Sequence, residues 1–251
     1  MRVVSREWDS AFFGYPVAAA ELDHSPVSIA EVAAARDEAR RQGIRLLYVF
    51  LPPVDEALRS ALRREGIQAV GRKVEYAKDV PADRAADPDP EIIPCRVGSA
   101  ALEQLAIQSG QYSRFRLDGG FRHQEFERLY REWLAGSLAG RDGKCVFGAG
   151  EETHPLGMVT LEPGDAVRIG LFAVDPAHHR RGIGRRLMDR AEQFCVQRCA
   201  RELRVATQAE NRPACLFYES RGFAKASETD VFHVWLPETP GEPMQKRRTH
   251  P

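Results

Sequence analysis

The pattern of apolar and polar positions divides the chain into two stretches of strands and helices. The predicted strands of the first stretch are the apolar run from Val17, residues 44–51 and residues 67–78. The first helix between them begins at Ser28, where Glu31 completes a capping box, and the second begins near Val54. We therefore expect a small N-terminal α/β domain over residues 1–80, with an aromatic turn over residues 8–16.

The second stretch follows a polar, proline-rich segment over residues 81–91, which we interpret as a linker. Its predicted strands are residues 92–96, 145–149, 156–161, 167–174, 203–208 and 223–236. Helices are expected from near Ser99 and from Gln124 to about Leu138, with a loop over residues 111–120 between them. The pattern predicts a second α/β (α+β) domain over residues 92–236 and a disordered tail over residues 237–251.

The centre of the second stretch carries a candidate anion site. The strand over residues 169–174 ends at Asp175-Pro176, because proline lacks an N–H and disfavours helix in the residue before it. A helix then opens near Gly182. Two arginines and two glycines between the strand and the helix would place positive side chains and accessible backbone N–H groups at the helix N-terminus. This arrangement favours a pyrophosphate, although Gly-x-Gly before a helix can also be only a tight turn.

Two motifs in this region resemble those of a known superfamily. The first is Val174-x-Pro176-x-x-His179-Arg180-Arg181-Gly182-Ile183-Gly184, and the second is Asn211-x-x-Ala214-x-x-Phe217-Tyr218-Glu219-x-x-Gly222-Phe223. They are similar to motifs A and B of the GNAT superfamily of N-acetyltransferases. His179 departs from the pattern, which usually has Gln or Arg at that position.

The resemblance implies a GNAT fold, which is a mixed, mostly antiparallel sheet whose parallel strands splay apart around acetyl-CoA. It implies that the backbone of Phe172, Ala173 and Val174 pairs with the pantetheine arm and holds the thioester oxygen. The loop residues implied to contact the co-substrate are His179, Arg180, Arg181, Gly182, Ile183, Gly184 and Arg185. Asn211 would cap the next helix and contact the co-substrate, and Tyr218 would give a proton to the leaving thiolate. Without the motif, a tyrosine on an amphipathic helix is more often a core residue.

Three more segments resemble the bacterial dTDP-fucosamine acetyltransferase family, which acetylates the 4-amino group of a dTDP-linked dideoxy sugar. They are Trp8-Asp-Ser-x-Phe-Phe-Gly14, Ser113-Arg114-Phe115-Arg116 and Leu203-Arg-Val-Ala-Thr-Gln208. Arg114, Phe115 and Arg116 would suit the pyrophosphate and thymine of such an acceptor. The alternative for the two arginines is a solvated or ion-paired loop. Other amines, or an acyl-CoA-binding module without turnover, remain rival interpretations.

Composition narrows these possibilities. The 251 residues carry 36 basic and 36 acidic side chains, so nothing in the net charge favours nucleic acid or an anionic membrane. Five cysteines without paired spacing indicate neither a disulfide framework nor a zinc site, and we expect no metal. We find neither a signal peptide nor an apolar run of ~20 residues, so we expect a cytoplasmic protein. A homodimer through edge strands is plausible.

The sequence does not select a general base. Glu75, Asp118 and Glu162 could each act through water, and nothing in their spacing distinguishes them. We expect that an electron-poor sugar amine needs no dedicated carboxylate. The oxyanion would then be stabilised by backbone N–H near Ala173.

Overall fold

The computed structural model describes residues 1–21, 26–82 and 89–237. In these residues the strands are β1 (Arg2–Ser5), β2 (Val17–Glu21), β3 (Leu46–Leu51), β4 (Ala69–Asp79), β5 (Ile92–Cys95), β6 (Cys145–Gly150), β7 (Pro155–Glu162), β8 (Val167–Val174), β9 (Glu202–Gln208) and β10 (Ala224–Trp235). The α-helices are α1 (Glu7–Phe13), α2 (Ile29–Arg41), α3 (Glu56–Arg64), α4 (Ala100–Ser109), α5 (Arg114–Leu117), α6 (His123–Leu138), α7 (Ile183–Gln197) and α8 (Arg212–Ser220). Most of the predicted linker and nearly all of the predicted tail lie outside the described residues.

The chain forms two compact units. Among the described residues, one unit comprises those in the ranges 1–69 and 232–237, and the other comprises those in the range 70–231. The strand predicted over residues 67–78 is β4, and its residues 73–79, within the second unit, pair with β9 from Lys73↔Gln208 to Asp79↔Glu202. The domain boundaries expected from the sequence, at residues 80 and 92, stay a prediction.

In the first unit, β2 pairs with β1 antiparallel and with β3 parallel. The helix α2 begins with the predicted capping box between Ser28 and Glu31 and buries Val32, Ala35 and Ala39 against the strands. The aromatic turn expected over residues 8–16 was wrong for residues 8–13, because these residues belong to the helix α1, which is capped by Gly14 in the left-handed conformation (φ 80). Trp8 and Phe12 stack one helical turn apart, with ring centroids 5.3 Å apart, and this spacing stabilises a helix.

In the second unit, the strand order is β10-β4-β9-β8-β7-β6-β5. The pairs β4–β9, β8–β7, β7–β6 and β6–β5 are antiparallel, whereas β8 and β9 are parallel. The mixed, mostly antiparallel sheet expected from the sequence is therefore confirmed. The segment expected to be a loop over residues 111–120 contains the short helix α5.

The two parallel strands separate after three residue pairs. Their register runs from Val167↔Leu203 to Ile169↔Val205 and goes no further. At that point β8 has a β-bulge, because Gly170 and Leu171 both lie opposite Thr160 of β7. The Leu171 N–H donates to the buried Thr160 Oγ1 at 2.7 Å, and a Cβ on Gly170 would lie 2.7 Å from the same oxygen. A bulge bends its strand, which accounts for the gap between the carboxyl ends of β8 and β9.

The helix α7 covers this sheet with one apolar face. Its residues Leu187, Ala191, Phe194 and Cys195 are all buried in the core. Gly157 on β7 permits the close approach, since a Cβ there would lie about 3 Å from side chains of α7. None of the helices in the described ranges has the length and apolar character that a membrane-spanning segment requires.

Candidate functional site

The gap between β8 and β9 opens into a cavity of about 580 Å³. Its walls come from residues of the second unit alone. The predicted site residues that line it are Phe172, Ala173, Val174, His179, Arg180, Gly182, Ile183, Gly184, Arg185, Asn211 and Tyr218. Arg181 is absent from the lining, although it lies between two loop residues that contribute to it. The structure thus brings one strand end, one loop and two helices together around one space.

The loop between β8 and α7 is shaped for an anion. Arg180 (φ 61) and Gly182 (φ 77) both adopt the left-handed region, and Gly182 is the N-cap of α7. Alternation of left-handed residues turns successive backbone N–H groups toward one concavity. The first N–H groups of α7 have no intrahelical acceptor, and the helix dipole adds positive potential there. Arg185 adds a cationic side chain to the cavity.

The cavity-lining side chains include arginines and histidines, and none of the described lining residues is Asp or Glu. The three carboxylates considered as bases are engaged elsewhere. Glu75 pairs with Lys73 at 2.8 Å, and that hydrogen bond holds the pKa of Glu75 below its usual value. Glu162 pairs with Lys144 at 3.0 Å, and Asp118 accepts the Gly120 N–H at 2.9 Å. The site therefore carries positive potential and no carboxylate base in its lining.

The carbonyl of Val174, at the end of β8, accepts two side-chain hydrogen bonds. The Gln108 amide donates from Nε2 at 2.9 Å, and His179 Nε2 lies at the same distance. Since a carbonyl oxygen only accepts, the proton of His179 lies on Nε2 in this arrangement. The histidine that departs from the usual motif thus contacts the strand end.

The helix α8 presents Tyr218 to the cavity. Asn211 is its N-cap, and its side chain accepts the Ala214 N–H at 3.4 Å, as the sequence predicted. The Tyr218 ring packs among Tyr76, Phe172 and Phe223 at centroid distances of 5.9, 6.3 and 5.8 Å. In the described part of the chain its hydroxyl has no hydrogen-bond partner.

Burial raises the pKa of the Tyr218 phenol well above its ordinary value of about 10, and the nearby Cys215 thiol adds to the effect. The phenol therefore stays protonated at any physiological pH. A protonated hydroxyl at the edge of a cavity can donate a hydrogen bond or a proton to a ligand there.

The predicted acceptor residues on α5 lie outside the cavity lining. Phe115 is buried and packs edge-on against Trp133, with centroids 5.8 Å apart. Arg114 and Arg116 place their guanidinium groups over the rings of Phe115 and Phe126, at 4.4 and 5.4 Å. The roles expected for these three residues stay predictions.

Sequence reasoning missed one wall of the cavity. Gln108, Ser109 and Gln111 from the end of α4, and Tyr130 and Trp133 from α6, also line the space. Tyr130 and Trp133 are three positions apart on one helix, a spacing that shows a shared face but not what that face meets.

Comparisons with known proteins identify acetyltransferases as relatives of this chain. Residues 102–223 match the Acetyltransferase (GNAT) family. Over 165 residues the chain is 30% identical to a dTDP-fucosamine acetyltransferase of Escherichia coli O6:H1, covering 64% of this chain and 69% of that protein. Among solved structures, a functionally unknown conserved protein from Staphylococcus epidermidis aligns with a TM-score of 0.60 at 15% identity, covering 88% of this chain and 84% of that one. A GCN5-related N-acetyltransferase from Kribbella flavida aligns with a TM-score of 0.54 at 15% identity, covering 90% and 82%. These two similarities concern the fold.

Proposed function

Because this chain belongs to the GNAT family and is an acetyl-CoA-dependent N-acetyltransferase, we propose that it acetylates the 4-amino group of a dTDP-linked amino-dideoxy sugar. The observation that carries the proposal is the similarity to the dTDP-fucosamine acetyltransferase, which extends over most of both chains. The chemistry of the cavity is consistent with it.

Acetyl-CoA fits the side of the cavity formed by β8, α7 and α8. Backbone N–H groups of Arg181, Gly182 and Gly184 hold its pyrophosphate, aided by the positive end of α7. The pantetheine arm pairs with the backbone of residues 172–174 along the gap. His179, Arg180, Ile183, Arg185 and Asn211 complete the contacts. The Val174 carbonyl already accepts hydrogen bonds from Gln108 and His179, so a pantetheine N–H that donated to this oxygen would have to replace one of them.

The acceptor is an amine that costs little free energy to deprotonate. Deprotonating a lysine-like amine of pKa ~10.4 costs ~4.6 kcal/mol at pH 7, whereas an amine of pKa ~8 costs about 1.4 kcal/mol. The absence of Asp and Glu from the described cavity lining favours the second kind of acceptor. Arg114 and Arg116 bind the dTDP pyrophosphate beyond the cavity; Arg116 is exposed and Arg114 is half-buried on α5.

The reaction is a direct attack of the amine nitrogen on the thioester carbonyl. A backbone N–H near Ala173 stabilises the oxyanion, the C–S bond breaks, and Tyr218 gives its proton to the sulfur. The phenolate then takes up the proton released by the nitrogen as the amide forms. The raised pKa of Tyr218 makes that return favourable.

The test is a thiol-release assay with acetyl-CoA and a panel of dTDP-amino sugars, with a small polyamine and a peptide N-terminus as competing acceptors. We expect turnover with a dTDP-4-amino sugar and mass-spectrometric detection of its N-acetyl product. Turnover with only the polyamine or the peptide would refute the proposed acceptor and leave the N-acetyltransferase activity in place.

A further inference from the structure

The last turn of α8, which carries Tyr218, ends in a tight cap. The Gly222 N–H donates to the Glu219 carbonyl at 3.0 Å, and the Phe223 N–H donates to the Tyr218 carbonyl at 3.1 Å. Gly222 has a φ of 83, so this is a Schellman motif, and the Phe223 ring packs against the Tyr218 ring with centroids 5.8 Å apart. The position of the Tyr218 side chain therefore depends on where this end of the helix lies.

A buried lysine holds this end of the helix. Lys78, on β4, donates from Nζ to the Arg221 carbonyl at 2.7 Å and forms an ion pair with Glu192 of α7. The Lys78 side chain is 12% exposed, and that of Glu192 is 1% exposed. The same ammonium lies 5.8 Å from the centre of the Phe223 ring. One side chain thus joins the strand β4 to α7 and to the end of α8.

The two helices that Lys78 joins carry two parts of the candidate site. The N-terminus of α7 follows the anion loop, and α8 presents Tyr218 to the cavity. A buried ion pair adds little net stability, because both charges lose their hydration. It does define one arrangement, because removal of either charge leaves the other buried without it. The pair between Lys78 and Glu192 therefore suits a role in geometry better than a role in stability.

We propose that Lys78 is a positioning residue that sets the distance between the Tyr218 hydroxyl and the thioester sulfur; this inference rests on the proton-donor role in the proposed function. A displacement of about 1 Å in an active site can cost up to about 10²-fold in rate, so a small shift of α8 is enough to reduce proton transfer. Neither Lys78 nor Glu192 lines the cavity. Tyr76, two positions earlier on β4, donates to the Glu219 side chain and not to the helix backbone, so it holds α8 less directly.

The experiment is a double-mutant cycle between Lys78 and Tyr218. Lys78→Met alone leaves Glu192 buried without the lysine, and loss of one charge of a buried pair is strongly destabilising. The deciding variant is therefore Lys78→Met/Glu192→Met, which replaces both charges by apolar side chains. Lys225→Met is the matched control, because Lys225 pairs with Glu228 at the exposed start of β10 and does not line the cavity. Each replacement is made in the wild-type and Tyr218→Phe backgrounds, and kcat is measured by thiol release and acetyl-CoA affinity by calorimetry.

In the wild-type background we expect Lys78→Met/Glu192→Met to lower kcat about tenfold and to leave the acetyl-CoA Kd unchanged, because the loop that binds the co-substrate is untouched. In the Tyr218→Phe background the same replacement should lower kcat no further, since the hydroxyl that Lys78 positions is missing. Lys225→Met should change kcat in neither background. An ion pair with a structural role alone would instead lower activity by the same factor in both backgrounds.

Three results would overturn the inference and leave the proton donor in place. They are an unchanged kcat for Lys78→Met/Glu192→Met in the wild-type background, an equal loss of kcat in the two backgrounds, and a loss of acetyl-CoA affinity in place of a loss of kcat. A Tyr218→Phe enzyme with wild-type kcat would refute the proton donor and the inference together. The cycle uses whichever acceptor the panel of amines identifies, so failure of the dTDP-amino sugar as an acceptor would refute that part of the proposed function alone.

Discussion

Replacing Tyr218 by Phe tests the proposed proton donor with little other disturbance. The ring keeps its contacts with Tyr76, Phe172 and Phe223, and no hydrogen bond in the described part of the chain is lost. The change in the free energy of unfolding should therefore be close to zero. The acetyl-CoA affinity should also be unchanged.

The loss of rate can be bounded. Full proton transfer from a phenol of pKa ~10 to a thiolate of pKa ~8.5 is uphill by ~2 kcal/mol, and burial of Tyr218 makes it harder. The phenol thus acts as the C–S bond breaks rather than after it. General acids contribute roughly 10²–10⁴-fold. Since a thiolate is a good leaving group, we expect kcat to fall about 10²-fold, which corresponds to ~2.7 kcal/mol.

Tyr76→Phe is the matched control. The Tyr76 hydroxyl donates to Glu219 at 2.8 Å, and its ring lies beside that of Tyr218. Removing this hydroxyl should destabilise the protein by about 1 kcal/mol and leave kcat within a few-fold of wild type. The assay is thiol release at saturating substrates, with urea denaturation of each variant. A Tyr218→Phe enzyme with wild-type kcat, or one that loses as much stability as Tyr76→Phe, would refute the reasoning.

Three further predictions follow from the loop, the ion pairs and the cavity lining. Gly182→Ala should lower the free energy of unfolding by ~1 kcal/mol and weaken acetyl-CoA binding, because Gly182 has a φ of 77 that alanine rarely adopts. Gly184→Ala, in the first turn of α7, should not lower stability, so equal unfolding midpoints for the two variants would contradict this prediction. Asp89, whose pKa is lowered chiefly by its hydrogen bond from Arg186, should stabilise the fold by about 1 kcal/mol above its unfolded pKa and lose this contribution as pH falls through the folded value. The stability difference between wild type and Asp89→Asn, from urea titrations, should thus be constant near neutral pH and shrink only below pH ~4, and a difference that instead grew on acidification would be incompatible with the pairing. Glu162→Gln should leave the pH dependence of kcat/KM unchanged, since this carboxylate lies outside the cavity lining, and a lost acidic limb in the pH profile would restore it as a base.

Local rules in the sequence predicted the part of the site that is contiguous along the chain. Asp175-Pro176 ended β8, Gly182 began α7 and Asn211 capped α8, and each of these depends on neighbours within a few residues. These elements bring the loop and Tyr218 to one cavity. That the loop and Tyr218 share one cavity depends on the pairing of the strands, which these local rules do not specify.

The wall of the cavity that Gln108, Ser109, Gln111, Tyr130 and Trp133 form could not be predicted in the same way. Gln108 reaches Val174 across 66 positions of sequence, and no periodicity in α4 marks the side chain that does so. Gly110 has an unremarkable backbone conformation, and its importance comes from a ring 20 residues away. The prediction of a turn around Trp8 and Phe12 was wrong for a different reason. Gly14 and Pro16 suggested a turn, whereas the four-residue spacing of the two aromatic residues favoured a helix.

The divergence of β8 from β9 also bears on aggregation. Peripheral strand edges attract other strands, and proteins must protect them. Here two partly unmatched edges face each other inside the sheet, with β7 on one side and β4 on the other. Because both edges belong to the same sheet and are flanked by its other strands, a single extended ligand can reach them more readily than the edge of a second sheet can. The protein can therefore keep backbone groups available for a ligand without offering them to another copy of itself.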